Sequence, residues 1–166
     1  YYLLGKSYAE GNGFSIISKL GTEKANHFPP GYPLLVAGII KLFGISLIPL
    51  KIFNGLLLGL SIVIIILISR LLNSSFWIAI CTAAMLIVNQ HLLHFSSIIM
   101  SEMSYLFVSS LCILSIIKYE NDPYGLKSKW YYLSILCVII SYYMRTIGIA
   151  LFISYCVHFM YKREYK

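Results

Sequence analysis

The sequence has 166 residues, of which 59% are hydrophobic and only 11% are charged. Soluble domains carry about 25% charged residues, so a soluble chain of this size would lack the charges needed to cover its surface. This composition excludes an ordinary soluble enzyme, a disordered segment and a nucleic-acid-binding domain. The net charge of +7 is then information about orientation in a membrane. We predict an integral membrane protein of the all-α class.

The first element in chain order is a polar segment, residues 1–32. Glycine and asparagine at 11–13 predict the end of a short helix. His27 and Tyr32 flank the proline pair 29–30, which holds the backbone extended before the next helix. Such a stiff loop suits the placement of a polar group against a lipid headgroup, although prolines at this position also simply mark the start of a helix.

Residues 33–48 form a short apolar stretch, which we predict to be a juxtamembrane helix. Lys41 lies in its middle, and Pro33 and Pro49 bracket it. A membrane span needs about 17–25 apolar residues, so this stretch suits a helix that lies at the interface. Residues 1–32 face outward if it does not cross the membrane, and inward if it does.

Five longer apolar runs follow, and we predict a transmembrane helix in each. Arg145 interrupts the last run, because one helix over 130–161 would exceed a hydrocarbon core of about 30 Å and would bury this charge at its centre. All five belong to a single membrane domain that covers 1–166. The predicted spans are 50–69, 76–94, 97–117, 130–144 and 146–161.

The basic residues predict the orientation of these spans. Cytoplasmic loops carry an excess of lysine and arginine. One set of short loops holds seven of the 13 basic residues, and the other six are spread over a region more than twice as long. We therefore expect residues 1–32 to face outward from a bacterial cytoplasmic membrane. The residues assigned to the cytoplasmic side are Arg70, Lys118, Lys127, Lys129, Lys162, Arg163 and Lys166.

Two charged residues lie near the outward ends of the predicted spans. Glu102 is the only acidic residue inside a predicted span, and intramembrane carboxylates are usually functional or paired. Arg145 is suited to bidentate recognition of phosphate. Structural roles remain open for both residues. Glu102 can bond to a neighbouring helix or lie among headgroups, and Arg145 can extend to the interface from a tight turn.

The patterns that could hold a metal are weak. His91 and His94 precede Glu102 at a spacing that permits a metal site without indicating one. Each of the four cysteines lies isolated in an apolar run, which is typical of small apolar side chains in helices. We predict no cofactor, with a divalent metal as the alternative. The cysteines are Cys81, Cys112, Cys137 and Cys156.

The most specific string in the sequence is HFPPGYP, followed by a helix that ends in KLFG. Three looser strings accompany it: YLLGKSYAEGNGFS, SEMSYLF and YYMRTIGIALFI. Together they resemble the polytopic GT-C glycosyltransferases. Within these enzymes the chain is similar to the protein-mannosyltransferase and aminoarabinose-transferase branch, over nearly its whole length.

The resemblance implies a transferase that takes a sugar from a polyprenyl-phosphate carrier. The sugar passes with inversion to an extracytoplasmic lipid, glycan or protein, and membrane lipids rather than nucleic acid are the other partners. It implies substrate-binding roles for His27, Tyr32, Glu102 and Arg145. Arg145 would stabilise the charge that develops on the departing phosphate. The general base of the family is an Asp that we expect upstream of Tyr1, so these 166 residues alone are expected to be inactive.

Two other functional classes remain open at this point. In a secondary transporter or channel fragment, Glu102 and Arg145 would line a substrate path. Transporters often have matched pairs of interrupted spans, and the sequence has no such matched pair. A non-catalytic membrane subunit is the other alternative, because most of these features are also structural.

The orientation leads to a labelling prediction. In a background without native cysteines, Ser18→Cys is expected to react with a membrane-impermeant maleimide in intact cells. Lys127→Cys and Lys162→Cys are expected not to react, because the positive-inside rule places their loops in the cytoplasm. Reaction is read as a mass shift on a gel. Labelling at 127 and 162 without labelling at 18 would reverse the orientation.

Overall fold

The computed structural model describes residues 1–15 and 28–164, and in these ranges every regular element is a helix. The predicted all-α membrane class is therefore confirmed. The elements are α1 (Tyr2–Ala9), α2 (Gly31–Phe43), α3 (Leu47–Leu71), α4 (Phe76–Val88), α5 (Gln90–Ser97), α6 (Glu102–Glu120), a 3₁₀ turn (Gly125–Lys127), α7 (Lys129–Met144) and α8 (Gly148–Glu164).

The described helices differ in their ability to cross a membrane. Helices α3 and α6 are long and apolar enough to do so, and α4 with α5 qualifies as one pair bent by 54°. Helices α7 and α8 have 16 and 17 residues, because the turn at Arg145 divides their apolar run. On length and composition the described residues give two spans, or three with the bent pair, rather than five. Crossing by α7 and α8 remains a prediction.

The second predicted span, 76–94, is not a single straight helix. It breaks at Asn89, whose backbone is extended and whose Oδ1 accepts a hydrogen bond from the Leu92 N–H at 3.2 Å. Asparagine side chains compete with helical hydrogen bonds in this way, so Asn89 ends α4 and caps α5. The third predicted span, 97–117, instead begins at Glu102. Residues 98–101, here called the junction, lie between α5 and α6.

Helix α2 covers most of the stretch predicted to be a juxtamembrane helix, and its place at the membrane surface stays a prediction. It has 13 residues, too few for a span, and it ends at Gly44, whose φ of 80° suits glycine. Helix α3 then begins after Ser46, whose Oγ accepts a hydrogen bond from the Ile48 N–H. A short turn therefore joins the juxtamembrane helix to the longest apolar helix.

Helices α6 and α7 pack against each other through small side chains. The buried Cys112 Sγ approaches the Ser134 carbonyl oxygen to 3.7 Å. Small residues let helix backbones approach closely in membranes. Four buried serines of these two helices donate hydrogen bonds to carbonyl oxygens of their own helix. The serines bonded in this way are Ser110 and Ser115 in α6, and Ser134 and Ser141 in α7.

Two glycines let backbones meet around the turn between α7 and α8. A Cβ added at Gly148 would lie 2.5 Å from the carbonyl oxygen of Ser141, and one at Gly31 would lie 2.6 Å from that of Tyr143. Neither distance is possible without movement of the backbone. The starts of α2 and α8 therefore both pack on the last turn of α7, which Arg145 follows directly.

Gly148→Ala is expected to destabilise the fold, because the added methyl group meets backbone that cannot move aside. Overpacking of this kind typically costs about 1–3 kcal/mol. The matched control is Gly59→Ala in α3, where an added Cβ meets nothing within 4 Å. Alanine favours a helix over glycine by about 1 kcal/mol, so the control is expected to hold or raise the stability.

The measurement is thermal unfolding in detergent, read with a dye that reacts with thiols. Cys112 and Cys137 are buried and become reactive on unfolding, while Cys81 and Cys156 are first replaced by alanine. An unchanged midpoint temperature in Gly148→Ala would show that the turn yields to an added side chain.

Candidate active site

Polar side chains collect at one end of the helix bundle. Residues 98–101 join the end of α5 to the start of α6, α6 packs against α7, and the start of α2 packs on the last turn of α7, so these helix ends lie together. The distribution of basic residues predicts that this end faces outward. The basic loops around Arg70, Lys127 and Lys162 lie at the other end.

Glu102 and Arg145 form an ion pair at this end. Arg145 Nη1 lies 3.3 Å from Glu102 Oε1, and the two side chains are 38% and 17% exposed. Glu102 is the first residue of α6 and Arg145 caps the end of α7. Each charge therefore lies at the helix end whose dipole favours it. The sequence had indicated both residues separately, and the structure brings them together.

The ion pair leaves hydrogen-bonding capacity on both partners. Glu102 Oε2 is buried and has no hydrogen-bond partner in the described part of the chain, although buried polar atoms in folded proteins usually have one. The Arg145 guanidinium carries five N–H donors, and its contact with Glu102 uses Nη1. The pair can thus offer one acceptor and several donors to an anionic or hydroxylated ligand.

A second polar group, formed by Tyr32 and Asn54, lies deeper. Asn54 Nδ2 donates hydrogen bonds to the Ile98 carbonyl oxygen at 2.8 Å and to Tyr32 Oη at 3.2 Å. The Tyr32 hydroxyl lies 3.4 Å from Asn54 Oδ1. Both side chains are only 1% exposed. Tyr32 is therefore buried next to the ion pair's helices, and its substrate-binding role stays a prediction.

Electrostatics connects Tyr32 to the ion pair. Burial raises the pKa of Tyr32 to about 12; the hydrogen bond with Asn54 opposes this rise and the negative charge of Glu102 adds to it. Because the pKa is raised, the hydroxyl keeps its proton throughout the physiological pH range and remains a hydrogen-bond donor.

Aromatic contacts hold the start of the chain over this network. The Tyr1 ring meets the rings of Phe28 and Tyr32 edge-on, with 5.3 Å between centroids in each pair. Helix α1 lies close to α2, since a Cβ at Gly5 would fall 2.5 Å from a Val36 methyl group. Helices α1 and α2 thus form a compact unit beside the bundle.

An apolar groove of about 330 Å³ lies beside the turn that carries Arg145. Its walls come from the last two turns of α7 and the first turns of α8, the two helices that the turn at Arg145 connects. The lining residues are Val138, Ile139, Tyr142, Tyr143, Ile149 and Phe152.

The histidines add no metal site within the described residues. His27 lies outside the ranges that the structure describes. His91 and His94 are exposed on α5, and the described residues contain no group of three His, Cys, Asp or Glu side chains that could hold an ion.

Asn54 is the residue of this end that sequence analysis missed. It lies in the clearest predicted span, where a single amide changes the apolar pattern little. The sequence nevertheless contained an indication of its role, because placing a polar side chain inside a membrane helix costs free energy unless the side chain is hydrogen-bonded.

The opposite end of the bundle holds a second group of charged contacts. Glu120 Oε1 lies 2.7 Å from Lys162 Nζ and 3.2 Å from His158 Nε2. Lys118 Nζ lies 4.2 Å from the centre of the Trp130 ring, which is a cation–π contact. These contacts tie together the ends of α6, α7 and α8.

Comparison with known proteins gives one match. The family described as dolichyl-phosphate-mannose-protein mannosyltransferase matches residues 21–162, a range that includes Tyr32, Asn54, Glu102 and Arg145. No curated protein and no solved structure matches the chain. The chain therefore belongs to the dolichyl-phosphate-mannose-protein mannosyltransferase family, which confirms its resemblance to the GT-C glycosyltransferases.

Proposed function

We propose that this membrane glycosyltransferase moves a sugar from a polyprenyl-phosphate-linked donor to an extracytoplasmic acceptor. Family membership supports the general class of enzyme and favours it over a transporter. The observation that carries the finer proposal is the Arg145 guanidinium. It is held 3.3 Å from Glu102 and remains 38% exposed, beside an apolar groove.

The chemistry of the donor explains the need for a fixed cation. The donor phosphate is a diester with one negative charge. When the bond between the sugar and the phosphate oxygen breaks, the leaving monoester gains a second negative charge. Prearranged donors aimed at developing charge lower the barrier to such a step, and a guanidinium matches phosphate geometry better than an ammonium does. Arg145 has this role in the proposed reaction.

Glu102 has two roles in this proposal. Its Oε1 holds the Arg145 guanidinium, and its Oε2 can accept a hydrogen bond from a sugar or acceptor hydroxyl. Tyr32 supports the site from the core, and His27 is proposed to lie near the substrate. The proposed reaction uses no resident metal or organic cofactor.

The groove suits the isoprenoid part of the donor. Tyr142, Tyr143 and Ile149 line it and lie within a few residues of Arg145 in the chain. A lipid whose chain lay along α7 and α8 would therefore present its phosphate to the guanidinium. The positive-inside rule supports an outward location for this end, which is where an extracytoplasmic acceptor would meet the sugar.

A transfer assay on the full-length protein tests the function. The protein is reconstituted in lipid vesicles with radiolabelled dolichyl phosphate mannose and a threonine-rich peptide. We expect the release of dolichyl phosphate together with labelled peptide. GDP-mannose is the control donor, and transfer from GDP-mannose without lipid-linked sugar would contradict the proposed donor class.

Replacement of Arg145 is expected to reduce turnover without loss of membrane insertion. A hydrogen bond to a charged group is worth about 1.5–3 kcal/mol, so Arg145→Ala should lower kcat by about 10- to 100-fold. Arg145→Lys is expected to recover little, because an ammonium cannot reproduce a bidentate contact. The measurement is initial transfer rate at saturating lipid-linked donor.

The matched control for Arg145 is Arg70→Ala. Arg70 also lies at a helix end, but at the opposite end of the bundle, where its guanidinium lies 5.7 Å from the Phe76 ring centre. Its replacement is expected to leave kcat nearly unchanged. Near-normal transfer by Arg145→Ala would reduce Arg145 to an interfacial anchor.

A further inference from the structure

The Asn54 side chain connects three parts of the protein. Its Nδ2 bonds to Tyr32 of α2, which precedes it by 22 positions, and to the Ile98 carbonyl, which follows it by 44. Asn54 itself belongs to α3. One buried amide thus joins the juxtamembrane helix, the longest apolar helix and the junction before α6.

The junction needs partners for its backbone. Residues 98–101 are not helical, and non-helical backbone at membrane depth persists only where the protein satisfies its polar groups. The Ile98 carbonyl accepts hydrogen bonds from the Met100 N–H at 3.1 Å and from Asn54. The first bond tightens the junction, and the second fixes where this tight turn lies against α3.

We infer that Asn54 is a positioning residue of the transferase, acting through the junction to hold Glu102 against Arg145. The inference rests on the proposed function. Glu102 follows the junction directly, so its position depends on where the junction is anchored. A contact of 3.3 Å is already near the limit of a hydrogen bond, and a displacement of about 1 Å would break it.

The competing explanation is that Asn54 merely adds stability through buried hydrogen bonds. Ser61 provides the matched control, since it lies in the same helix, is fully buried, and donates a 2.6 Å hydrogen bond to the Leu57 carbonyl of its own helix. Ser61→Ala removes a buried hydrogen bond without disconnecting the junction. Of these two residues of α3, Asn54 has bonds that cross to other elements, whereas the Ser61 bond stays within its own helix.

The test is a double-mutant cycle on the full-length protein. Asn54→Leu, Glu102→Gln and the double variant are assayed for kcat and KM with dolichyl phosphate mannose, and for thermal stability. We expect Asn54→Leu to lower kcat at least about tenfold. Glu102→Gln should add little to that loss, because residues acting through one contact give non-additive effects. Ser61→Ala is expected to keep kcat.

A second variant, Asn54→Asp, tests the inference if Asn54→Leu does not fold. Asn54→Asp has the same size and can still accept a hydrogen bond from Tyr32, but its ionised form has no proton to donate to Ile98. We expect its kcat to be low at neutral pH and to recover as the pH falls and the carboxyl regains a donor. The wild type and Ser61→Ala are expected to show no such recovery.

The position of the pair can also be measured without turnover. With native cysteines replaced, Glu102→Cys with Arg145→Cys is expected to cross-link efficiently with a short bifunctional thiol reagent. Adding Asn54→Leu should reduce the yield severalfold, and adding Ser61→Ala should not.

Each outcome is decisive. Unchanged kcat in the Asn54 variants, additive losses in the cycle, or an unchanged cross-linking yield would overturn the inference while wild-type transfer continued. Absence of sugar transfer by the wild type would instead overturn the proposed function, and the inference with it.

Discussion

A carboxylate at the edge of a hydrocarbon layer needs a cation beside it, and this requirement brings Glu102 to Arg145. The two residues belong to α6 and α7 and meet at 3.3 Å. For the contact to form, α6 must begin at Glu102 and α7 must end before Arg145. The break before α6 and the turn after α7 can therefore be understood as conditions for one ion pair.

Both conditions are met by backbone packing as well as by side chains. The turn after α7 is fixed because Gly31 and Gly148 let two other helices contact its backbone directly. The break before α6 is held in place because Asn54 Nδ2 donates a hydrogen bond to the Ile98 carbonyl oxygen. The backbone around the site is closely packed, and the partly exposed Arg145 guanidinium is available to a ligand.

The sequence predicted the elements of this fold better than their contacts. Charges and prolines flank the apolar runs, so the helices lie close to where the runs predicted them, and Arg145 correctly marked a turn between two short helices. The break at Asn89 was missed because one asparagine hardly lowers the apolarity of a run. The break depends instead on the hydrogen bond that the Asn89 side chain accepts from the Leu92 N–H.

The candidate site was predictable in its residues and not in its geometry. Glu102 and Arg145 were recognisable because charges are rare in apolar runs. Their pairing joins two positions far apart in the chain, and a pattern along one chain does not specify which helices become neighbours. The burial of Tyr32 was missed for the same reason, since it depends on Asn54 in another helix.

Helix α6 carries a carboxylate at each of its ends, and both are held by ion pairs. Glu102 is paired with Arg145, and Glu120 with Lys162. At about 1.5 Å per residue and 3.6 residues per turn, the two lie on the same side of the helix, about 27 Å apart along its axis. This length is close to the thickness of a hydrocarbon core. Hydrophobic mismatch in a thinner or thicker bilayer would tilt α6, whose two ends are held by these ion pairs. The length of the lipid chains would then change the position of Arg145.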